Sequence, residues 1–323
     1  MFRFGICTRD QYLRAGKRRR FSGSRVAFNL LVVGEHPARD DIEIFEDINF
    51  TLRTSNGTCR TTFRNRLQDV DATTVEILDQ FYRPDFPLAV EDRAVSHGLT
   101  SIELALRLFP SFPNASFEAS DRLLQLMELS LPTGETYILE PEGKPIQYIK
   151  PPFVVSLAQP EPRFLPVNRI IAALARRRLR RLPLSPKSMD SQAAKDCRIT
   201  NISCIHPEVV AFQKADPRFQ MCARSVFDVT APGVHLLRTM NILNKDYFSD
   251  VQLRDGADAA FHSLQPGGIW IVGRTLESDF SNHVSFLQRC EGGWQLLGRI
   301  GNGSEMERFA RVVHPASKVP QLQ

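Results

Sequence analysis

The stretch Leu264-Gln265-Pro266-Gly267-Gly268-Ile269-Trp270-Ile271-Val272-Gly273 decides the fold class of this chain. A helical pattern of apolar residues ends at Leu264, and a Pro-Gly-Gly turn follows at once. The apolar run from Ile269 to Val272 then has the character of a buried strand. Glycine adopts the left-handed backbone that so sharp a turn needs. The stretch therefore predicts a helix that packs on a sheet and turns directly into one of its inner strands.

Strands and helices alternate on both sides of this stretch. Apolar strands are predicted at 88–90, 115–119, 199–205, 219–227, 234–238 and 269–272, and helices at 71–82, 100–109, 207–215 and 250–264. Such alternation is typical of a mostly parallel sheet with right-handed crossovers. Two β-like runs between Val284 and Arg299, on either side of Gly292, predict an antiparallel hairpin. We expect an α/β fold with a doubly wound sheet and an antiparallel edge.

Residues 122–198 interrupt the alternation. The runs at 135–139 and 146–149 predict a β-hairpin, and a helix from Asn168 to Leu182 leads into a linker at Pro183–Pro186. We interpret this region as an insertion in an α/β domain that spans residues 71–300. Residues 1–70 are an N-terminal extension without recognisable chemistry, and residues 301–323 are a C-terminal tail.

Composition limits the classes of protein to consider. The chain has 323 residues, 42% of them hydrophobic, so it can bury a large core. It has no run of about 20 apolar residues and no secretory signal, so we expect a soluble, cytoplasmic protein. None of its six cysteines forms a C-x-x-C pair or lies at metal-ligand spacing beside a histidine. The sequence therefore indicates no metal site.

The net charge of +5 comes from two local patches. Residues 1–20 carry seven basic side chains and one acid, and a second patch surrounds the arginines of the helix at Arg176–Arg181. An anionic substrate or a membrane surface could bind these arginines, although a solvated helix face explains them as well. No aromatic residues are interleaved with them, so the pattern does not favour nucleic-acid binding.

One strand end carries the motif Asp92-Arg-Ala94-Val-Ser96-His-Gly98, directly before a helix in which Thr100 and Glu103 have capping-box spacing. With the Pro-Gly-Gly strand, this motif resembles the class I S-adenosylmethionine-dependent methyltransferases over about two thirds of the chain. The family pattern is D-x-G-x-G-x-G. The resemblance implies that Asp92, Ala94, Ser96 and Gly98 bind S-adenosylmethionine, with alanine and serine at two of the glycine positions.

The end of the second strand in this family carries an acid that binds the cofactor ribose. Asp121 fits that position, and an N-cap or turn aspartate is its simpler interpretation. A competing alignment makes residues 202–205 the second strand and places His206 there instead. We favour Asp121, because a neutral imidazole accepts only one hydrogen bond.

Three further residues follow from the resemblance. Asp228 occupies the acidic turn that contacts adenine in this family, where Ser225 replaces a first acid. Arg238 and Asn241 lie in a segment similar to one that borders the transferred methyl group in glutamate methyltransferases. The resemblance therefore adds Asp228, Arg238 and Asn241 to the expected cofactor site.

Three functions remain open at this point. The first is methyl transfer from S-adenosylmethionine to an unidentified, possibly anionic acceptor, for which no general base can be named. The second is a non-catalytic, methyltransferase-like binding or regulatory module, which the replaced glycines favour. The third is a nicotinamide-dependent oxidoreductase, but the G-x-G-x-x-G turn of that class is missing.

Overall fold

The computed structural model describes residues 1–16, 25–31, 34, 37–182, 197–230, 233–310 and 312–313. The predicted linker at Pro183–Pro186 lies outside these residues. Helices in the described residues are α1 (Arg9–Ala15), α2 (Arg39–Thr51), α3 (Gln68–Phe81), α4 (Leu99–Ser111), α5 (Pro166–Leu179), α6 (Pro207–Ala215) and α7 (Asp250–Ser263), with short 3₁₀ turns at Phe28–Leu31 and Glu305–Arg308. None of these helices combines the length and apolar character needed to span a membrane.

The strands of the described residues form two sheets. They are β1 (Ala89–Arg93), β2 (Ser116–Asp121), β3 (Gln125–Ser130), β4 (Thr136–Leu139), β5 (Pro145–Lys150), β6 (Phe153–Ser156), β7 (Arg198–Ser203), β8 (Phe219–Ala223), β9 (Val234–Met240), β10 (Leu264–Thr275), β11 (Asn282–Cys290), β12 (Gly293–Ile300) and β13 (Val312–Val313). Eight strands build one sheet and five build the other.

The chain divides into two compact units. We call Thr62–Arg122 with Glu208–Gln323 the parallel unit, and Met1–Thr61 with Leu123–Pro207 the antiparallel unit. Each unit contains one of the two sheets, and each has its own buried apolar clusters.

The parallel unit has the strand order β13-β12-β11-β10-β9-β1-β2-β8. Strands β8, β2, β1, β9 and β10 are parallel, and β11 is antiparallel to both of its neighbours. The chain builds the sheet outward from β1, first through β2 and β8 on one side and then through β9 and β10 on the other. This doubly wound, Rossmann-like sheet with an antiparallel strand near one edge is the fold class expected from the sequence. Its topological switch point lies between β1 and β9.

The Pro-Gly-Gly turn forms an irregularity at the start of β10. Leu264 pairs with Val234 and Ile269 pairs with Leu236, so three extra residues bulge out of β10 between them. Gly267 has a φ of +82°, the left-handed region that its position in the sequence predicted. Beyond the bulge, Trp270 is fully buried and donates a hydrogen bond to Thr239 Oγ1 at 2.6 Å. The chain therefore enters the buried part of the sheet directly after the turn.

The antiparallel unit has the strand order β6-β5-β4-β3-β7. The hairpin predicted from the sequence is confirmed as β4 and β5. One buried cluster includes Tyr12, Phe45 and Ile138, and another joins strand residues to Ala172 and Ala175 of α5. The expectation that β7 resumes the parallel alternation is wrong, because β7 pairs antiparallel with β3. A short apolar run shows that a segment is a strand but does not identify its neighbour.

Candidate functional site

The turn between β1 and α4 has an unusual backbone. Ala94 and Ser96 have φ angles of +61°, and Gly98, the N-cap residue of α4, has a φ of +87°. L-residues with side chains avoid this left-handed region, at a cost of roughly 1–2 kcal/mol each. The turn therefore adopts left-handed geometry at each of the three positions where the family motif has glycine, although two of them carry a β-carbon.

Asp121 lies beside this turn. Strand β2 pairs in parallel with β1, and Asp121 Oδ2 accepts a hydrogen bond from the backbone N of Ser96 at 2.8 Å. The backbone N of Val95 donates to Ser120 O at 3.2 Å. The end of β2 thus holds the turn, and the structure brings Asp121 together with Ser96.

The competing alignment, which made residues 202–205 the second strand and placed His206 at its end, is wrong. Residues 202–203 belong to β7 of the antiparallel unit, and β2 is the strand that neighbours β1. His206 is fully buried, with its ring edge-on to Phe45 at 5.5 Å between centroids and its Nε2 3.4 Å from Glu46 Oε1. These contacts belong to the core of the antiparallel unit.

Asp92 and Arg238 contact each other in the interior of the parallel unit. Asp92 lies inside β1, which runs to Arg93 and not, as expected, only to Val90. Arg238 Nε is 3.0 Å from Asp92 Oδ1, and its guanidinium also donates to Asp71 Oδ1 at 2.5 Å and to Thr100 O at 2.9 Å. These bonds join β1 and β9 to α3 and α4. We call Arg238, Asp92 and Asp71 the Arg238 cluster.

The ionisation of this cluster is set by burial and by mutual attraction. Burial alone would lower the pKa of Arg238, but the carboxylates of Asp92 and Asp71 raise it above its ordinary value. Burial raises the pKa of Asp71 to about 7, against the attraction of Arg238. Two carboxylates beside one guanidinium leave an excess negative charge, which a proton on Asp71 would remove.

A second set of charges lies on the other face of β1. Arg93 Nε donates to Glu91 Oε2 at 2.9 Å, and its guanidinium also reaches Asp228 O and Ser263 Oγ, both at 2.8 Å. Both side chains of this ion pair are buried. Sequence reasoning missed this pair. The available signal was a charged triplet, Glu91 to Arg93, placed directly after an apolar strand.

Asp228 and Asn241 lie in the loops after β8 and β9, two strands that are separated in the sheet by β1 and β2. Asp228 is exposed, and its Oδ2 accepts from the backbone N of Ser225 at 2.8 Å. Asn241 has a φ of +63°, and its Oδ1 accepts from the backbone N of Thr275 at 2.7 Å. Both side chains therefore shape the loops that follow β8 and β9.

A cavity of about 750 Å³ opens at the end of the sheet where β10 finishes. Its wall includes Arg66, Asp69, Arg107, Phe280 and Asn282. Arg66 Nε donates to Thr275 Oγ1 at 3.1 Å, and Asn282 Nδ2 donates to Asp69 Oδ1 at 2.6 Å. Burial lowers the pKa of Arg66, although Tyr247 and Glu277 oppose this effect. Two cations and one carboxylate thus border an open cavity at the carboxyl edge of the sheet.

The arginines of α5 make contacts within the antiparallel unit. Arg176 is half-buried and donates from Nη2 to Leu157 O at 2.9 Å and to Gln159 O at 3.3 Å. Arg178 forms an ion pair with Glu135 at 2.6 Å. Arg177, Arg180 and Arg181 are exposed. Two arginines of the predicted basic patch therefore support local structure.

Comparison with known proteins gives matches among solved structures. No family model matches the chain, and no curated protein matches it. The citrinin polyketide synthase CMeT domain matches at 9% identity, covering 84% of this chain and 48% of that one, with a TM-score of 0.35. The mitomycin 7-O-methyltransferase MmcR matches at 10% identity, covering 65% of this chain and 38% of that one, with a TM-score of 0.29.

A third match is the S-adenosylmethionine-dependent methyltransferase SibL, at 12% identity, covering 66% of this chain and 37% of that one, with a TM-score of 0.28. The chain spans less than half the length of each of these three proteins. The resemblance noted in the sequence concerns the parallel unit, in which the motif from Asp92 to Gly98 forms the left-handed turn after β1.

Proposed function

We propose that the parallel unit binds S-adenosylmethionine at the turn after β1 and transfers its methyl group to an acceptor. The observation that carries this proposal is the left-handed backbone of Ala94 and Ser96 at the switch point. Strained backbone persists where function or the surrounding structure requires it. In a doubly wound sheet, ligands bind beyond the carboxyl ends of the strands at this point.

The residues around the turn fit the parts of this cofactor. The N-terminus of α4 begins at Gly98 without a side-chain cap, so its backbone N–H groups suit the cofactor carboxylate. Asp121 would accept hydrogen bonds from the ribose, and Asp228 would face the adenine amino group. The bound cofactor supplies an electrophilic methyl group on a sulfonium.

Arg238 and Asp92 have a different role in this proposal. Both are buried and bonded to each other, and Arg238 also holds Thr100 O in the first turn of α4. They are positioning residues that fix the start of α4, and the backbone of the turn makes the contacts to the cofactor.

The acceptor would bind in the cavity at the end of β10. Arg66 and Arg107 give its wall a positive charge that Asp69 compensates only in part. Such a wall favours an anionic acceptor, because fixed cations attract anions and orient them. Catalysis would then consist mainly of holding the acceptor atom in line with the methyl group.

Calorimetric titration with S-adenosylhomocysteine tests the proposal. We expect binding by the wild-type protein, and Asp121→Ala should weaken it about 10- to 100-fold, the scale of hydrogen bonds to a charged group. Asp85→Ala, which removes an exposed carboxylate of the same unit, is the control and should leave the affinity unchanged. No heat from the wild-type protein at millimolar ligand would overturn the proposal.

A second candidate is a non-catalytic module, and burial of the turn favours it. Ser96 is 8% exposed and Thr100 is 6% exposed, so protein atoms already cover much of the expected binding surface. A thermal-shift panel of S-adenosylhomocysteine, NAD and NADP separates the candidates, since a ligand that binds only the folded state raises its stability. A shift with NAD alone would favour an oxidoreductase, and no shift would favour the non-catalytic module.

A further inference from the structure

The antiparallel unit contains a cavity of about 390 Å³ that the proposed methyl transfer does not use. Its apolar wall includes Tyr137, Tyr148 and Phe153 from the sheet and Leu174 from α5. Its polar end carries Glu135, Lys150 and Arg178. This volume lies within the range of small-molecule sites, which are typically about 300–1,000 Å³ and apolar with a few convergent polar groups.

The polar end is organised around the carboxylate of Glu135. It accepts hydrogen bonds from Tyr148 Oη at 2.8 Å and Thr133 Oγ1 at 2.7 Å. Arg178 lies 2.6 Å from this carboxylate and Lys150 lies 3.5 Å from it. Burial would raise the pKa of Glu135, but these hydrogen bonds and the two cations lower it below its ordinary value. The carboxylate is therefore ionised and holds both cations at the edge of the cavity.

The charges at this end do not balance. One carboxylate faces two cations, so the polar end carries a net positive charge. The side chains of Lys150 and Arg178 are 51% and 45% exposed, which leaves both able to bind a second anion. The exposed Arg177 on the same helix and Arg181 just after its end add to the positive potential.

The apolar wall continues onto the surface of the unit. Leu174 is 59% exposed, and Phe2 and Phe4 lie against Phe153 with ring centroids 6.3 and 5.5 Å away. Phe2 and Phe4 are themselves about half exposed. Contiguous exposed apolar surface of this kind marks binding sites, whereas a single exposed leucine does not.

We propose that this cavity binds a small amphipathic anion, such as an aliphatic carboxylate. Its charged group lies between Lys150 and Arg178, and its apolar body lies against Tyr148, Phe153 and Leu174. The chemistry of this ligand follows from the two ends of the cavity. The cations attract its anionic group, and the aromatic wall removes the apolar surface of its body from water. This site does not depend on the function of the parallel unit.

Titration of the full chain with octanoate tests the site, with octan-1-ol and octylamine as uncharged and cationic counterparts. Octanoate should bind at least about tenfold more tightly than either counterpart. Lys150→Gln should raise the octanoate Kd about three- to tenfold, because it removes one exposed cation. Lys144→Gln changes an exposed lysine outside the cavity and should have no effect.

A second pair of variants tests the apolar wall. Leu174→Gln should raise the octanoate Kd about threefold or more, because it removes apolar contact at the cavity. Ile170→Gln is the matched control, since Ile170 is equally exposed on the same helix but does not line the cavity. Both residues are on the surface, so both variants should retain the melting temperature of the wild-type protein.

Three outcomes would overturn the proposal. Equal binding of octan-1-ol would show that the cations play no part, and tighter binding of octylamine would show that Glu135 selects the ligand. The third outcome is binding to phosphatidylglycerol vesicles, without binding to monomeric octanoate or to phosphatidylcholine vesicles. It would show that the cations around the cavity bind a membrane surface and not a small molecule. The predicted rise of the octanoate Kd in Lys150→Gln and Leu174→Gln, with an unchanged Kd in both controls, supports binding in the cavity.

Discussion

The two units each contain a cluster of charged side chains, and the clusters differ in their access to solvent. In the parallel unit, Arg238 lies between Asp71 and Asp92, and the side chains of all three are at most 4% exposed. In the antiparallel unit, Glu135 is buried, whereas its partners Lys150 and Arg178 are about half exposed.

This difference separates structural charges from charges that can bind a ligand. A buried cation whose donors are occupied by carboxylates and a carbonyl cannot accept another partner without losing one. An exposed cation in an ion pair contributes little stability and remains accessible. The Arg238 cluster therefore fixes four elements of the fold, and the Glu135 cluster leaves positive charge at a cavity.

Arg238→Met should cause the largest loss of stability. It leaves Asp71 and Asp92 buried without their common partner, and breaking a buried ion pair in this way costs about 3–5 kcal/mol. Arg178→Met should cost less than about 1 kcal/mol, because the Arg178 guanidinium is near the surface. Urea denaturation followed by circular dichroism measures both effects.

Tryptophan fluorescence assigns the Arg238→Met effect to the correct unit. The two tryptophans of the chain, Trp270 and Trp294, are both buried in the parallel unit. The urea midpoint from fluorescence should fall in Arg238→Met and stay unchanged in Arg178→Met. Equal losses in the two variants would contradict the distinction between the clusters.

Asp71→Asn should change how stability depends on pH. The folded state holds the Asp71 proton up to a pKa of about 7, whereas the unfolded chain releases it near the ordinary aspartate pKa of 3.8. The folded state therefore binds more protons between these values, and the contribution of Asp71 to stability falls as the pH rises through this window. Asparagine does not titrate, so Asp71→Asn should gain stability relative to the wild-type protein between pH 5 and pH 8.

Melting temperatures of both proteins at these two pH values provide the measurement. Asp79→Asn is the matched control, since Asp79 is an exposed carboxylate on the same helix. An unchanged difference in melting temperature between the two proteins from pH 5 to pH 8 would contradict this prediction, because Asp71 would then be ionised already at pH 5. The Arg238 cluster would then carry a buried excess negative charge.

The architecture of the parallel unit could be predicted because its signals are local. The Pro-Gly-Gly turn requires backbone geometry that glycine permits, and the capping box of Ser249 and Gln252 is present at the start of α7. The hairpin of β11 and β12 also follows from adjacent apolar runs. Such features depend on neighbouring residues and are therefore visible in the sequence.

The roles of the charged residues could not be predicted because their partners are distant in the chain. Arg238 and Asp71 are 167 positions apart, and nothing local marks either residue as buried. The expected capping box of Thr100 and Glu103 is wrong for a similar reason. Gly98 is the N-cap, and Glu103 instead accepts from the backbone N of Asn65. The cofactor contacts of Asp121, Asp228 and Asn241 stay predictions.

The smallest expected effect concerns the left-handed turn that the Arg238 cluster supports. Ala94→Gly and Ser96→Gly should each stabilise the protein by up to about 1 kcal/mol, because glycine relieves roughly 1–2 kcal/mol of strain but adds entropy to the unfolded chain. Ala105→Gly is the control, and it should destabilise the protein by about 1 kcal/mol, because Ala105 lies within α4.

The affinity for S-adenosylhomocysteine is a second quantity to measure in the glycine variants. The hydrogen bond from the backbone N of Ser96 to Asp121 does not involve the serine side chain, so Ser96→Gly keeps it. The affinity for S-adenosylhomocysteine should therefore stay within about threefold of wild type, if the turn binds through its backbone. A loss of stability in Ala94→Gly would show that the alanine side chain holds the turn. A loss of affinity without a loss of stability in Ser96→Gly would assign the Ser96 hydroxyl to the ligand site.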